Sequence, residues 1–334
     1  MKTLSVLEHA RIRSGMYATG QRPNEKIFRA ALAGSIDICH AGYGNAVHIV
    51  QDGNHIQFFI DGKGEATRII ENMIYYDTRN IPYFTFDGLA FVITAAWASE
   101  FQCYSRNGKT AVEGFAFCAG KPCPLLTAGD NGKATGFCID FTFDTDLFEG
   151  QAIEREFVEI STKEFAALFP QYPITLNGEA LNVSLKDLID ADDVVEYSGQ
   201  DFSVVLSRFS GEFRSFINGW ETRGGGAHLE LLLRTLAEEF PDMPLGWLSS
   251  ELGGVIHVHA DNVLNKFYFS DGFRSKLVAT SEMQTLLKAM QPELRRFLRD
   301  NAQWLRTPEE PDRTISDSTI SALKKDENCC PQSR

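Results

Sequence analysis

Two alternating runs, Ala46–Val50 and His55–Ile60, flank Asp52-Gly53-Asn54. Apolar and polar residues alternating with period two, broken by an Asp-Gly turn signal, predict a β-hairpin with one buried face. Just before it, Glu25–His40 places Ile27, Ala30, Ala31, Ile36 and Ile38 at roughly helical spacing, interrupted by Gly34. Further along, Gln102–Ser105 and Ala111–Cys118 flank Asn107-Gly108 as a second hairpin, and Phe137–Phe143 alternates as another strand. Phe91–Trp97 fits a buried helix or a buried strand equally well. A helix followed by a meander predicts an α+β layer, with helices on one face of a mostly antiparallel sheet.

A second block begins near Asp201. Phe202–Phe209 and Phe213–Phe216 are expected to pair around Ser210-Gly211-Glu212. Arg223-Gly224-Gly225-Gly226 opens a helix, His228–Phe240. Gly254–His259 and Lys266–Phe269 read as strands, and Ser281–Trp304 as one long helix. The 334 residues suit about two domains at roughly 150 residues each. The division expected is 1–195, 196–305 and a polar tail, 306–334, whose composition predicts disorder.

Charge narrows the function. With 32 Lys+Arg against 45 Asp+Glu, the net charge of −13 repels a phosphate backbone on average. Nucleic-acid binding would need a local basic patch. No stretch reaches the ~20 apolar residues of a membrane span, and the N-terminus is too soon charged for a signal peptide, so a cytoplasmic protein is expected. Seven scattered cysteines without a Cys-x-x-Cys pair read as reduced thiols, not a disulfide framework or zinc site.

Few residues carry a chemical signature. His257 and His259 fall on one face of a strand, as a metal pair would, but with no third ligand nearby they read as polar positions facing solvent. Asp144-Thr145-Asp146 reads as a helix-capping turn. Asp61-Gly62-Lys63-Gly64 ends the strand His55–Ile60; alone it is either a tight turn or a buried carboxylate acceptor for an amine such as adenine's. The Arg223-Gly224-Gly225-Gly226-Ala227-His228 segment is either a phosphate cradle at a helix start or a flexible approach to that helix.

In order, these segments resemble the ATPase half of the gyrase B protein and its topoisomerase IV relative. Ala10-Arg11-Ile12-Arg13-Ser14-Gly15-Met16-Tyr17 is similar to Val-Arg-Lys-Arg-Pro-Gly-Met-Tyr, Ser35-Ile36-Asp37 to Ser-Ile-Asp, and Asp61-Gly62-Lys63-Gly64 to Asp-Gly-Arg-Gly. Phe86-Asp87-Gly88-Leu89-Ala90 sits where Leu-His-Gly-Val-Gly is expected, and Lys133-Ala134-Thr135-Gly136-Phe137 resembles Lys-Thr-Gly-Thr. Arg223–His228 resembles Arg-Asp-Gly-Gly-Thr-His, and Lys276-Leu277-Val278 with Ser281-Glu282 resembles Lys-Leu-Val-Ser-Ser-Glu. The colinearity runs from about Leu7 to Trp304.

The resemblance implies a GHKL (Bergerat-type) ATPase sandwich followed by a transducer domain with a ribosomal-S5-like α/β fold. It implies ATP as ligand, with Asp61, Gly62, Gly64, Gly88 and Arg274 as nucleotide-binding positions. It also implies a homodimeric clamp on DNA, working with a topoisomerase or other protein partner. The sequence stops before the family's cleavage domain, so a complete topoisomerase is not expected.

The departures fall on the chemistry. The family's general base aligns with Ala30 and its Mg²⁺-holding asparagine with Gly34, so no catalytic residue and no metal ligand is expected there. A lost base forfeits ~10²–10⁴ in rate, and a lost Mg²⁺ ligand removes charge neutralisation at the phosphates. Ala90 replaces a phosphate-loop glycine, the lid segment 66–87 is short and apolar, and Arg274 stands where a lysine reaches the γ-phosphate. This pattern favours a pseudo-ATPase, or a nucleotide-sensing regulator, in a DNA-topology or defence system. The alternatives are an active ATPase component of a split type II topoisomerase and a purely structural interaction module.

Overall fold

The computed structural model describes residues 5–18, 22–62, 70–71, 74, 90–107, 111–125, 135–189, 191–208, 211–243, 252–259, 276–278 and 280–306. Two short helices, α1 (Val6–Ile12) and α2 (Ser14–Ala18), lead into α3 (Pro23–His40). Ser5 and Glu8 close α1 with a reciprocal capping box. Pro23 sits in the first turn of α3, where its fixed φ suits the helix and no N–H is missed. Burial of Ile27, Phe28, Leu32, Ile36 and Ile38 shows that α3 is enclosed on most sides, not merely laid on a surface.

The predicted hairpin is β1 (Gly44–Asp52) and β2 (His55–Gly62), antiparallel with Asp52 opposite His55. Gly53 takes a φ of 59° at the first turn position, a conformation that favours glycine. The ambiguous apolar run is the helix α4 (Ala90–Trp97), and every residue in it is buried, which explains its lack of a polar stripe. Then come β3 (Ala98–Asn107), β4 (Ala111–Cys118), β5 (Lys121–Cys123) and β6 (Thr135–Phe143), followed by α5 (Arg155–Leu168), β7 (Ile174–Leu176) and β8 (Glu179–Ala180). These strands form an eight-stranded sheet in the order β5-β4-β3-β6-β2-β1-β7-β8. It is antiparallel except where β7 runs parallel to β1.

A five-stranded sheet follows, built from β9 (Val194–Ser198), β10 (Phe202–Arg208), β11 (Phe213–Ile217), β12 (Trp220–Glu221) and β13 (Leu252–Val258). Between β12 and β13 lies α6 (Ala227–Glu239); α7 (Ser281–Asp300) and α8 (Ala302–Arg306) close the described chain. The strand order is β12-β11-β13-β10-β9. The expected hairpin of Phe202–Phe209 with Phe213–Phe216 is therefore corrected: β13 inserts between β10 and β11, antiparallel to one and parallel to the other. The long C-terminal helix is likewise two helices, broken at Asn301. Leu231, Leu232, Leu236, Met290, Leu294 and Leu298 from α6 and α7 join Phe202, Val204 and Ile256 of this sheet in one core.

Cysteine usage also departs from expectation. Cys118 and Cys123 form a disulfide across the β4–β5 turn, which the scattered spacing did not suggest. Cys39, Cys103 and Cys138 are buried thiols, and burial pushes Cys39 up to about 12. No described helix is long and apolar enough to cross a membrane. The polar tail beyond Arg306 and the Lys266–Phe269 strand lie outside the described residues.

Candidate functional site

In β2, Ile56, Phe58 and Ile60 are buried, while His55 and Asp61 are exposed. Pleating sends Ile60 into the apolar core that also holds α3 and α4, and Asp61 to the opposite face, between Ala46 of β1 and Gly136 of β6. Asp61 is thus an exposed carboxylate at the strand end. Gly62 serves packing: a Cβ there would collide with the Tyr43 carbonyl oxygen. Gly64, Gly88 and Arg274 lie outside the described residues.

On α3, Ala30 is 4% exposed and presents only a methyl group. Gly34 lies against the ring of Phe91, at the start of α4. A Cβ built at Gly34 would fall 2.5 Å from Cζ, 2.8 Å from Cε2 and 3.1 Å from Cε1 of that ring. Phe91 is fully buried, so the ring cannot swing into solvent to make room. At these two positions the helix offers no carboxylate or amide to hold a metal ion or activate water. Among the described residues, no group of three His, Cys, Asp or Glu side chains could hold a metal ion.

The glycine run before α6 has a structural use. Gly226 takes a φ of 144° and forms a parallel bridge with Leu277. The Ala227 N–H donates to the Leu277 carbonyl at 3.1 Å, so this helix-start donor is already occupied. Arg223 is largely exposed, 3.5 Å from Glu221. His228 is fully buried; burial lowers it to about 4, and its Nε2 lies 3.4 Å from the Thr222 hydroxyl. The Asp144 turn does not cap a helix either: the carboxylate pairs with Arg11 and accepts from the Leu147 N–H.

His257 does not face solvent as expected. It is fully buried, its Nε2 accepts from the Gly219 N–H at 3.0 Å, and its ring meets Phe169 edge-on at 5.3 Å. His259 follows at 4.2 Å between centroids, its Nε2 3.3 Å from the Ser203 hydroxyl. A second layer covers this face of the strand, which alternation within one strand could not reveal.

Sequence reasoning missed a charge network joining α3 and α5 to the five-stranded sheet. Glu164 of α5 pairs with Arg29 of α3 and with Arg214 of β11 at 2.6 Å, and Arg214 also pairs with Glu221 at 2.8 Å. Burial alone would raise the Glu164 pKa, but the two guanidiniums outweigh it and hold it below the usual value. Lys26 of α3 lies 4.7 Å over the Trp220 ring. The only sequence signal was a glutamate within the apolar Phe165-Ala166-Ala167-Leu168 end of a helix.

No family model matches the sequence. The B component of DNA topoisomerase 4 from Borreliella burgdorferi is 27% identical over 257 residues, covering 68% of this chain and 42% of that protein. The chain thus spans about two fifths of the length of the curated relative it matches. The gyrase B protein of Myxococcus xanthus superposes with a TM-score of 0.63 at 18% identity, covering 88% of this chain and 96% of that one. The ATPase region of Saccharomyces cerevisiae topoisomerase II gives 0.65 at 12% identity, over 90% and 98%. The 43K ATPase domain of Thermus thermophilus gyrase B, in complex with an aminocoumarin, gives 0.63 at 19%, over 90% and 92%. The chain therefore has the α+β fold of gyrase B and topoisomerase II ATPase regions, and its sequence is similar to that of a topoisomerase 4 component.

Proposed function

We propose that this chain is a gyrase-B-like pseudo-ATPase that keeps the scaffold, does not turn over ATP, and works as a protein partner or regulator. In this reading residues 1–195 form the ATPase-like unit and 196–305 the transducer-like unit. The observation that carries it is the Phe91 ring packed on Gly34. Where the family holds Mg²⁺, an apolar contact stands instead, and Ala30 supplies no base to a water molecule. Without the metal and the base, phosphoryl transfer has neither its charge neutralisation nor its proton acceptor.

The relationship to a topoisomerase 4 component favours a topoisomerase chain as the protein partner, with a second copy of this chain as the other choice. Phosphate release from Mg-ATP by purified protein tests the proposal. Turnover no higher than that of a heat-denatured control is expected. Turnover that follows the protein through successive columns and is lost in Asp61→Ala would overturn it in favour of an active component of a split topoisomerase.

A further inference from the structure

Where the ends of α3 and α5 meet β9, β10, β13 and α7 lies a cavity of about 950 Å³, within the range of small-molecule sites. We propose that it binds a small organic cation with a planar aromatic body, at a place separate from the nucleotide region. Four aspects of the lining support this choice.

The first is charge. Glu196 and Asp201 line the cavity, and among the described residues lining it there is no lysine or arginine. An anion would meet two carboxylates with no counter-charge, in a chain of net charge −13. The second is dipole. Helices α3 and α5 both end here, at His40 and Leu168, and a helix C-terminus carries about half a negative charge. Both ends favour a cation and disfavour phosphate or carboxylate ligands.

The third is shape. Phe169, His257 and His259 form an aromatic wall, with the Phe169 and His257 rings 85° apart and His257 and His259 63° apart, and Tyr197 lies on the β9 side. Such faces suit a flat ring and a delocalised cation. The fourth is protonation. Burial, then the neighbouring His259 and His228, drive His257 well below its usual value against a hydrogen bond to the Leu168 backbone. Burial, then His40, bring His259 to about 4. Both imidazoles are therefore uncharged at neutral pH and do not repel a cation. Because α3 and α5 on one side and β9, β10, β13 and α7 on the other wall the cavity, an occupant would bias how these elements pack.

Three probes of one shape separate these contributions: benzamidine (cation), benzamide (neutral) and benzoate (anion). Each is titrated into the full chain labelled with ¹³C-histidine. Saturable shifts of the His257 and His259 signals are expected with benzamidine, about tenfold weaker binding with benzamide, and none with benzoate. Ala289 is exposed on α7 at the cavity lining, so Ala289→Trp should block binding while the protein stays folded. Asp201→Asn should weaken benzamidine about threefold and leave benzamide unchanged. Equal binding of all three probes, stronger binding of benzoate, no binding of benzamidine, or insensitivity to Ala289→Trp would each overturn the proposal.

Discussion

Gly34→Ala gives a sign test of the contact that closes the proposed metal position. In the interior of an open helix, Gly→Ala stabilises by about 1 kcal/mol, since alanine has less conformational freedom to lose. Here the added Cβ would sit 2.5 Å from Phe91 Cζ, well inside ordinary contact distance, and the fully buried ring has no solvent to move into. Overpacking of this kind costs about 1–3 kcal/mol. The net effect is a loss of up to about 2 kcal/mol. Phe91→Ala alone should cost about 3–5 kcal/mol as a large-to-small core change. In that background the ring is gone, and Gly34→Ala should recover its stabilisation of about 1 kcal/mol. Urea unfolding of the four proteins yields a coupling energy, expected at about 1–3 kcal/mol. Gly34→Ala stabilising the parent by about 1 kcal/mol, or the two changes adding to within about 0.5 kcal/mol, would refute the reasoning. Phe91→Leu serves as a milder second background should Phe91→Ala not fold.

Other sites give independent checks. Glu164→Gln leaves Arg29 without its carboxylate and should cost about 2 kcal/mol at pH 7 in urea unfolding. Because the folded Glu164 pKa lies below the unfolded value, its stabilisation is complete above the ordinary carboxylate range and lost as pH falls through the folded value; the variant should lack that acid loss. His228 behaves as a buried neutral base: with its folded pKa lowered to about 4, the unfolded chain takes the proton first. Stability should therefore fall from about pH 6.5 towards pH 4, by about 2 kcal/mol, and His228→Gln should flatten that slope in unfolding at pH 7 and 4.5. Gly226→Ala combines a φ of 144° with a Cβ 2.6 Å from the Leu277 backbone nitrogen, and should cost about 2 kcal/mol or more by the same assay.

What the sequence revealed follows the range of the interactions involved. The β1–β2 and β3–β4 hairpins were legible because alternation and turn residues are local signals. The face taken by Asp61 was equally legible, one residue on from the buried Ile60. The pairing of β10 with β11 failed because their shared neighbour, β13, arrives much later in the chain, and no local pattern encodes its insertion. His257 was misplaced for a related reason: a polar residue in a strand reads as exposed until the second layer over it is known. Gly34 looked like an interruption in a helix. Only Phe91, distant in sequence, shows that the missing side chain makes room for a ring.

The central claim is tested most directly by calorimetric titration of the whole chain with a non-hydrolysable ATP analogue, with and without Mg²⁺. The structure around Gly34 and Phe91 predicts no Mg²⁺-dependent binding. Saturable binding that requires Mg²⁺ would show a metal site assembled from other residues and would contradict the account.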